Sequence, residues 1–132
     1  MGKIIIKYET ELLQKNLPFI KTVPGDAGYN LYNASDETVT LPPYESVRLS
    51  TGIKVILPKG CCGFIKAHHT LFLAKKLFVV DEVIDSGFEG TLFLTLWHPN
   101  LDNINRPVLI KPWENLAQLI VVSSPALAII QE

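Results

Sequence analysis

His68 and His69 stand side by side in FIKAHHTLFL and interrupt an apolar run. Paired imidazoles suggest metal binding or acid–base work. Cys61 and Cys62 are also adjacent, and Asp85 ends a hydrophobic arm in EVIDSGFEG. By itself a carboxylate there reads as a turn or cap residue. A metal centre would have to join one of the two histidines to His98 and a cysteine, because neighbours on an extended segment point to opposite faces. No CxxC or HxxxH spacing accompanies these residues, so no metal site is expected. The adjacent cysteines would form a strained disulfide if extended and read as reduced thiols.

These groups need a scaffold, and the sequence describes one. The chain has 132 residues, 48 % of them hydrophobic, enough for a single domain over 1–132 with one core. A net charge of −1, with Lys and Arg scattered, makes no case for nucleic acid. No apolar run reaches the roughly 18–20 residues of a membrane span, and the start lacks a signal-peptide pattern. An intracellular setting, cytoplasm or nucleus, is expected rather than secretion. Helical periodicity is almost absent, although TELLQKNL could form one helical turn or an irregular lead-in. Short runs rich in Val, Ile, Leu, Thr and Phe alternate with Pro and Gly turns, which predicts an all-β sandwich, barrel or jelly roll. Val47, Leu49, Ile53, Val55 and Leu57 define one apolar strand face. GTLFLTLWH is apolar on both faces, a first hint of an oligomer.

Four segments then fall in a telling order: PGDAGYNLYNA, GIKVILPKGCCGFIK, EVIDSGFEGTLFL and ENLAQLIV. From about Gly25 to Val122 the chain resembles the trimeric dUTPase (dUTP diphosphatase) family and, through it, the dCTP deaminases. The resemblance implies a distorted jelly-roll or β-barrel fold and a homotrimer with active sites between subunits. It also implies five motifs that build one site.

The third motif is the best preserved. Asp85 takes the place of the family's water-orienting carboxylate, and Phe88 that of the aromatic ring that lies against deoxyribose. Glu82 stands where the family has a glycine, in the hairpin whose backbone meets uracil, with Val83 beside it. In the first motif, Ala27 to Leu31, Asn30 replaces an Asp used near the hydrated metal, and an amide brings no charge to Mg²⁺. Counting back from Asp85 without a gap lays Ala67 to Leu71 over the second motif. His68 then takes the position of a phosphate-gripping Arg and His69 that of a Ser. A histidine lacks the permanent charge and fork of an arginine. The fourth motif keeps Leu116 to Ile120, with Gln118 able to reach a phosphate or a neighbouring subunit, after a changed lead-in of Trp113, Glu114 and Asn115. No glycine-rich arm follows Val122, so the lid of the fifth motif is expected to be absent.

Residues that shape sheet and turns are retained, among them Gly28, Gly52, Gly63 and Gly90. Those that grip phosphate, hold metal or bare the backbone for uracil are mostly replaced. The leading expectation is a dUTPase-derived trimer, like those carried by some viruses, that has lost most or all dUTP hydrolysis and works as an interaction or regulatory module. Nucleotide binding would then be weak or absent, no cofactor would be needed, and the protein partner is undefined. The rival is a divergent but active dUTP diphosphatase that uses Mg²⁺. Deamination is disfavoured because Thr95 stands where the deaminases carry a catalytic Glu. The ending AIIQE does not fit a PDZ ligand, but PALAIIQE is apolar enough to pack as a strand.

Overall fold

Alternation of apolar and polar residues decides the longest strands. In β8, Thr91–Trp97, Leu92, Leu94 and Leu96 face the core, at most 1 % exposed, while Phe93 and Thr95 are half-buried and Trp97 is exposed. Within a single chain the second apolar face of this strand is thus not fully covered. On that face the Arg48 guanidinium lies 3.9 Å above the Phe93 ring, and Trp97 stacks on Phe78 with centroids 6.0 Å apart. β4, Ser46–Ile56, buries Leu49, Ile53 and Val55 as its period requires. A register shift between Ser50 and Lys54 interrupts its pairing with β8. Gly52 sits there at φ 72°, and a Cβ would meet Leu13 Cδ1 at 2.8 Å, so both conformation and space call for glycine.

The computed structural model describes all residues except Met1, Thr22 and Ile104. Its strands form three sheets. The first has the order β1 (Ile5–Tyr8), β4, β8 and β6 (Phe78–Val79). The second has β2 (Gly28–Tyr32), β10 (Asn115–Ser123), β5 (Cys61–Ala67) and β7 (Glu82–Ile84). A two-stranded ribbon joins β3 (Val39–Leu41) to β9 (Val108–Ile110). All pairings are antiparallel. This is the expected all-β, jelly-roll-like architecture, built from open sheets rather than a closed ring of strands among the described residues. Leu31, Ile65, Ala117 and Leu119 of the second sheet join Leu94 and Leu96 of the first in one core.

Two short helices interrupt the strands. α1, Glu11–Asn16, is the turn anticipated in TELLQKNL; the Thr10 hydroxyl caps it by accepting from Leu13 N–H at 3.2 Å. α2, His69–Lys75, corrects the extended reading of the two histidines. Its signal is weak in sequence because a histidine, His68, does the capping usually left to Ser, Thr, Asp or Asn. It ends at Lys76, in the left-handed region at φ 55° and ψ 36°.

Candidate functional site

Strand register determines what this chain can bring together. Residues directly opposite on neighbouring strands share a face. Gln118 of β10 pairs with Asn30 of β2 on one side and Lys66 of β5 on the other. Lys66 reaches on to Asp81, Nζ to Oδ2 2.7 Å. A polar row therefore crosses the outer face of the second sheet. One pleat along lies an apolar row: Gly28, Ile120, Phe64 and Val83. Val83 is 61 % exposed, so that face is uncovered in one chain.

At the polar row, Asn30 is buried and its backbone N–H donates to Ile20 O at 2.9 Å. Gln118 donates from Nε2 to Ala67 O at 3.4 Å. A Cβ on Gly28 would lie 2.8 Å from Gln118 Cβ, so the absence of a side chain at 28 makes room for the glutamine.

His68 adjoins this row. Its Nδ1 accepts from the Thr70 N–H at 3.4 Å and lies 2.8 Å from the Thr70 hydroxyl. Its ring stacks on His69, centroids 4.5 Å apart. The two histidines are thus neighbours in contact and not on opposite faces, because a cap residue followed by a helix turns the chain where a strand would have continued. Burial chiefly, then the adjoining His69, hold the His68 imidazole below its ordinary range, against a smaller pull upward from Asp26. With Nδ1 engaged as an acceptor, only Nε2 of the neutral ring is left to donate.

Asp85 lies elsewhere. It opens a turn closed by Phe88 N–H to Asp85 O at 3.1 Å. The Phe88 ring folds back over Gly90, where a Cβ would come within 2.8 Å of it. Ile84 pairs with Gly63, five residues before His68. At about 3.3 Å per residue Asp85 is roughly 17 Å or more down the sheet from His68. The structure thus brings Asn30, Gln118, His68 and His69 to one end and Asp85 and Phe88 to the other. Glu82 is half-buried opposite Ile65, on the side of the sheet away from Gln118.

Sequence reasoning missed Lys66 and Asp81 as members of the row, since only the register of β5 on β10 reveals the lysine and only its ion pair reveals the aspartate. It also missed that Glu114 of the fourth-motif lead-in is structural: its Oε1 takes hydrogen bonds at 2.9 Å from both Lys75 Nζ and Lys111 N. His98 is committed as well, with Nδ1 accepting from Asn100 N and Nε2 donating to Arg106 O. Cys61 and Cys62 are free thiols. Among the described residues no three His, Cys, Asp or Glu side chains converge on a metal position. A cavity of about 260 Å³ opens by the loop after β8, between Lys75, Lys76 and Arg106, and none of the residues at either end of the site lines it.

With this geometry in view, comparison places the chain. It belongs to the dUTPase family, whose model matches residues 16–132. It is 35 % identical over 99 residues to the deoxyuridine 5'-triphosphate nucleotidohydrolase of Mycobacterium marinum, covering 74 % of this chain and 61 % of that protein. To the enzyme of the same name from Leifsonia xyli subsp. xyli it is 34 % identical, covering 84 % and 70 %. In fold it is similar to a point mutant of the dUTPase from phage phi11 of S. aureus, with TM-score 0.81 and 21 % identity over 98 % of this chain and 97 % of that one. That phage protein is described as coordinating a structural Mg(II) ion. No helix among the described residues is long and apolar enough to cross a membrane.

Proposed function

We propose that this chain, as one domain over 1–132, is a dUTP diphosphatase that hydrolyses dUTP to dUMP and diphosphate as an intracellular homotrimer. The observation that carries the reading is a family match spanning 16–132 together with relatives named for this reaction at about a third identity. This sets aside the leading expectation of lost hydrolysis in favour of its rival. The separation of Asp85 from His68 supports a site shared between copies: Asp85 and Phe88 from one, Asn30, Gln118, His68 and His69 from another.

In that site Asp85 orients a water and accepts its proton. The water oxygen bonds to the α-phosphorus, and diphosphate leaves with the electron pair of the broken P–O bond. Phe88 packs on deoxyribose. Glu82 and Val83 border the base. The amides of Gln118 and Asn30 and the remaining Nε2–H of His68 donate to phosphate oxygens. Magnesium does not fit a cage of this chain's own making, since Asn30 offers an amide and no acidic trio assembles among the described residues. It would arrive on the nucleotide's phosphates, as this ion often does.

A second reading, a binding module without turnover, draws on the His68 ring, whose surroundings favour the neutral form and which the resemblance lays at the arginine position of the second motif. Turnover of dUTP with Mg²⁺ separates the two. Rates of order 1–10³ per second support the hydrolase. No turnover, with no calorimetric heat from a non-hydrolysable dUTP analogue, leaves the module.

A further inference from the structure

We propose that Lys66 is the cation that meets the nucleotide's phosphates, held until then by Asp81. This rests on the nucleotide-binding reading above and assigns the charge which that reading leaves unfilled. A polyphosphate in a protein site needs a donor of fixed charge. His68 does not supply one, since its Nδ1 caps a helix and its surroundings favour the neutral ring. Asn30 and Gln118 are neutral amides.

Lys66 is placed to do so. It lies directly opposite Gln118 on the same outer face, and two residues before His68 in the chain. Strands are about 4.8 Å apart and alternate residues about 7 Å apart. A lysine stem spans such distances, so one ammonium can swing from Asp81 to the space above Gln118 and beside His68. Its tie to Asp81 is easily given up: the two side chains are 46 % and 68 % exposed, and a pair so open to water is weak. Three other cations are engaged elsewhere. Lys75 is bound to Glu114 and to the Leu109 carbonyl, and Arg48 stacks on Phe93 in the other sheet. Lys21 lies over the Tyr29 ring, on a residue of the opposite face of β2. Asp81 then has two roles. It positions the amine when the site is empty and competes with phosphate for it during binding.

Calorimetric titration of the full chain with a non-hydrolysable dUTP analogue and Mg²⁺ tests this, with urea midpoints measured beside it. Lys66→Gln should weaken binding about tenfold and Lys66→Arg should restore most of it, the size of one charge-assisted contact. Asp81→Asn should tighten binding. The urea midpoints of all three should stay at the wild-type value. Opposite signs for the two partners are what a merely structural ion pair would not produce. Wild-type affinity in Lys66→Gln, equal weakening in Asp81→Asn, or loss of binding that tracks a fallen urea midpoint would each overturn the assignment while the nucleotide reading stands. A wild-type chain that binds no analogue would overturn both.

Discussion

His68 shows how much a side chain's surroundings decide about its chemistry. By type it is a base that titrates near neutrality. In the fold its Nδ1 is spent as a helix cap, and burial and His69 favour the uncharged ring. A base whose folded pKa is depressed takes up its proton more readily when the chain is unfolded. Its contribution to stability is therefore complete above its ordinary pKa, about 6.5, and is lost as pH falls toward the folded value. His68→Asn keeps an acceptor for the cap and removes the titration. Urea unfolding across that range should show the wild type losing stability faster toward acid than His68→Asn. Parallel curves would mean the ring does not feel its burial. The histidines, Asp85, Phe88 and Gln118 were legible as candidates in sequence because motif residues keep fixed local spacings. Lys66 was not, because nothing within its own strand marks it as lying beside Gln118.

At the scale of elements, α2 is the part least visible in sequence. Seven residues carry too little periodicity to declare a helix, and neither end bears a usual cap. Its C-terminal residue, Lys76, adopts left-handed backbone at φ 55° while its N–H closes the last turn on Phe72 O at 2.9 Å. A glycine takes that conformation without the Cβ penalty. Lys76→Gly should raise unfolding free energy by about 0.5–1 kcal/mol, with a small part offset by loss of the ammonium's contact with the Phe72 ring 5.0 Å away. A lower urea midpoint would show that this contact outweighs backbone strain. The strands were easier to read. In β4 and β8 the apolar residues recur every second position, and burial follows that period.

For the whole molecule, the decisive fact is that one chain keeps Asp85 and His68 apart. An outer face carrying Phe64, Ile120 and an exposed Val83, and a tail with Leu127 and Ile129 80 % and 97 % exposed, leave apolar surface uncovered in one chain. A shared site can be tested by complementation. Asp85→Asn and Gln118→Ala, each inactive alone, should recover activity when unfolded and refolded together. In random mixing about a quarter of sites would draw an intact Asp85 from one chain and an intact Gln118 from another. Activity that stays at the level of the separate variants would place the whole site within one chain.

The amino-acid sequence by itself determined the all-β class, the strand faces and the membership of a nucleotide-hydrolase family. These depend on alternation, turn residues and motif spacing, which are properties of short stretches of chain. Only the tertiary structure decided that His68 and His69 touch, that Lys66 stands opposite Gln118 and that Asp85 lies at the other end of the sheet. Each of those facts follows from how segments distant in sequence pair and pack: cross-strand register and the burial of one common core fix which residues meet.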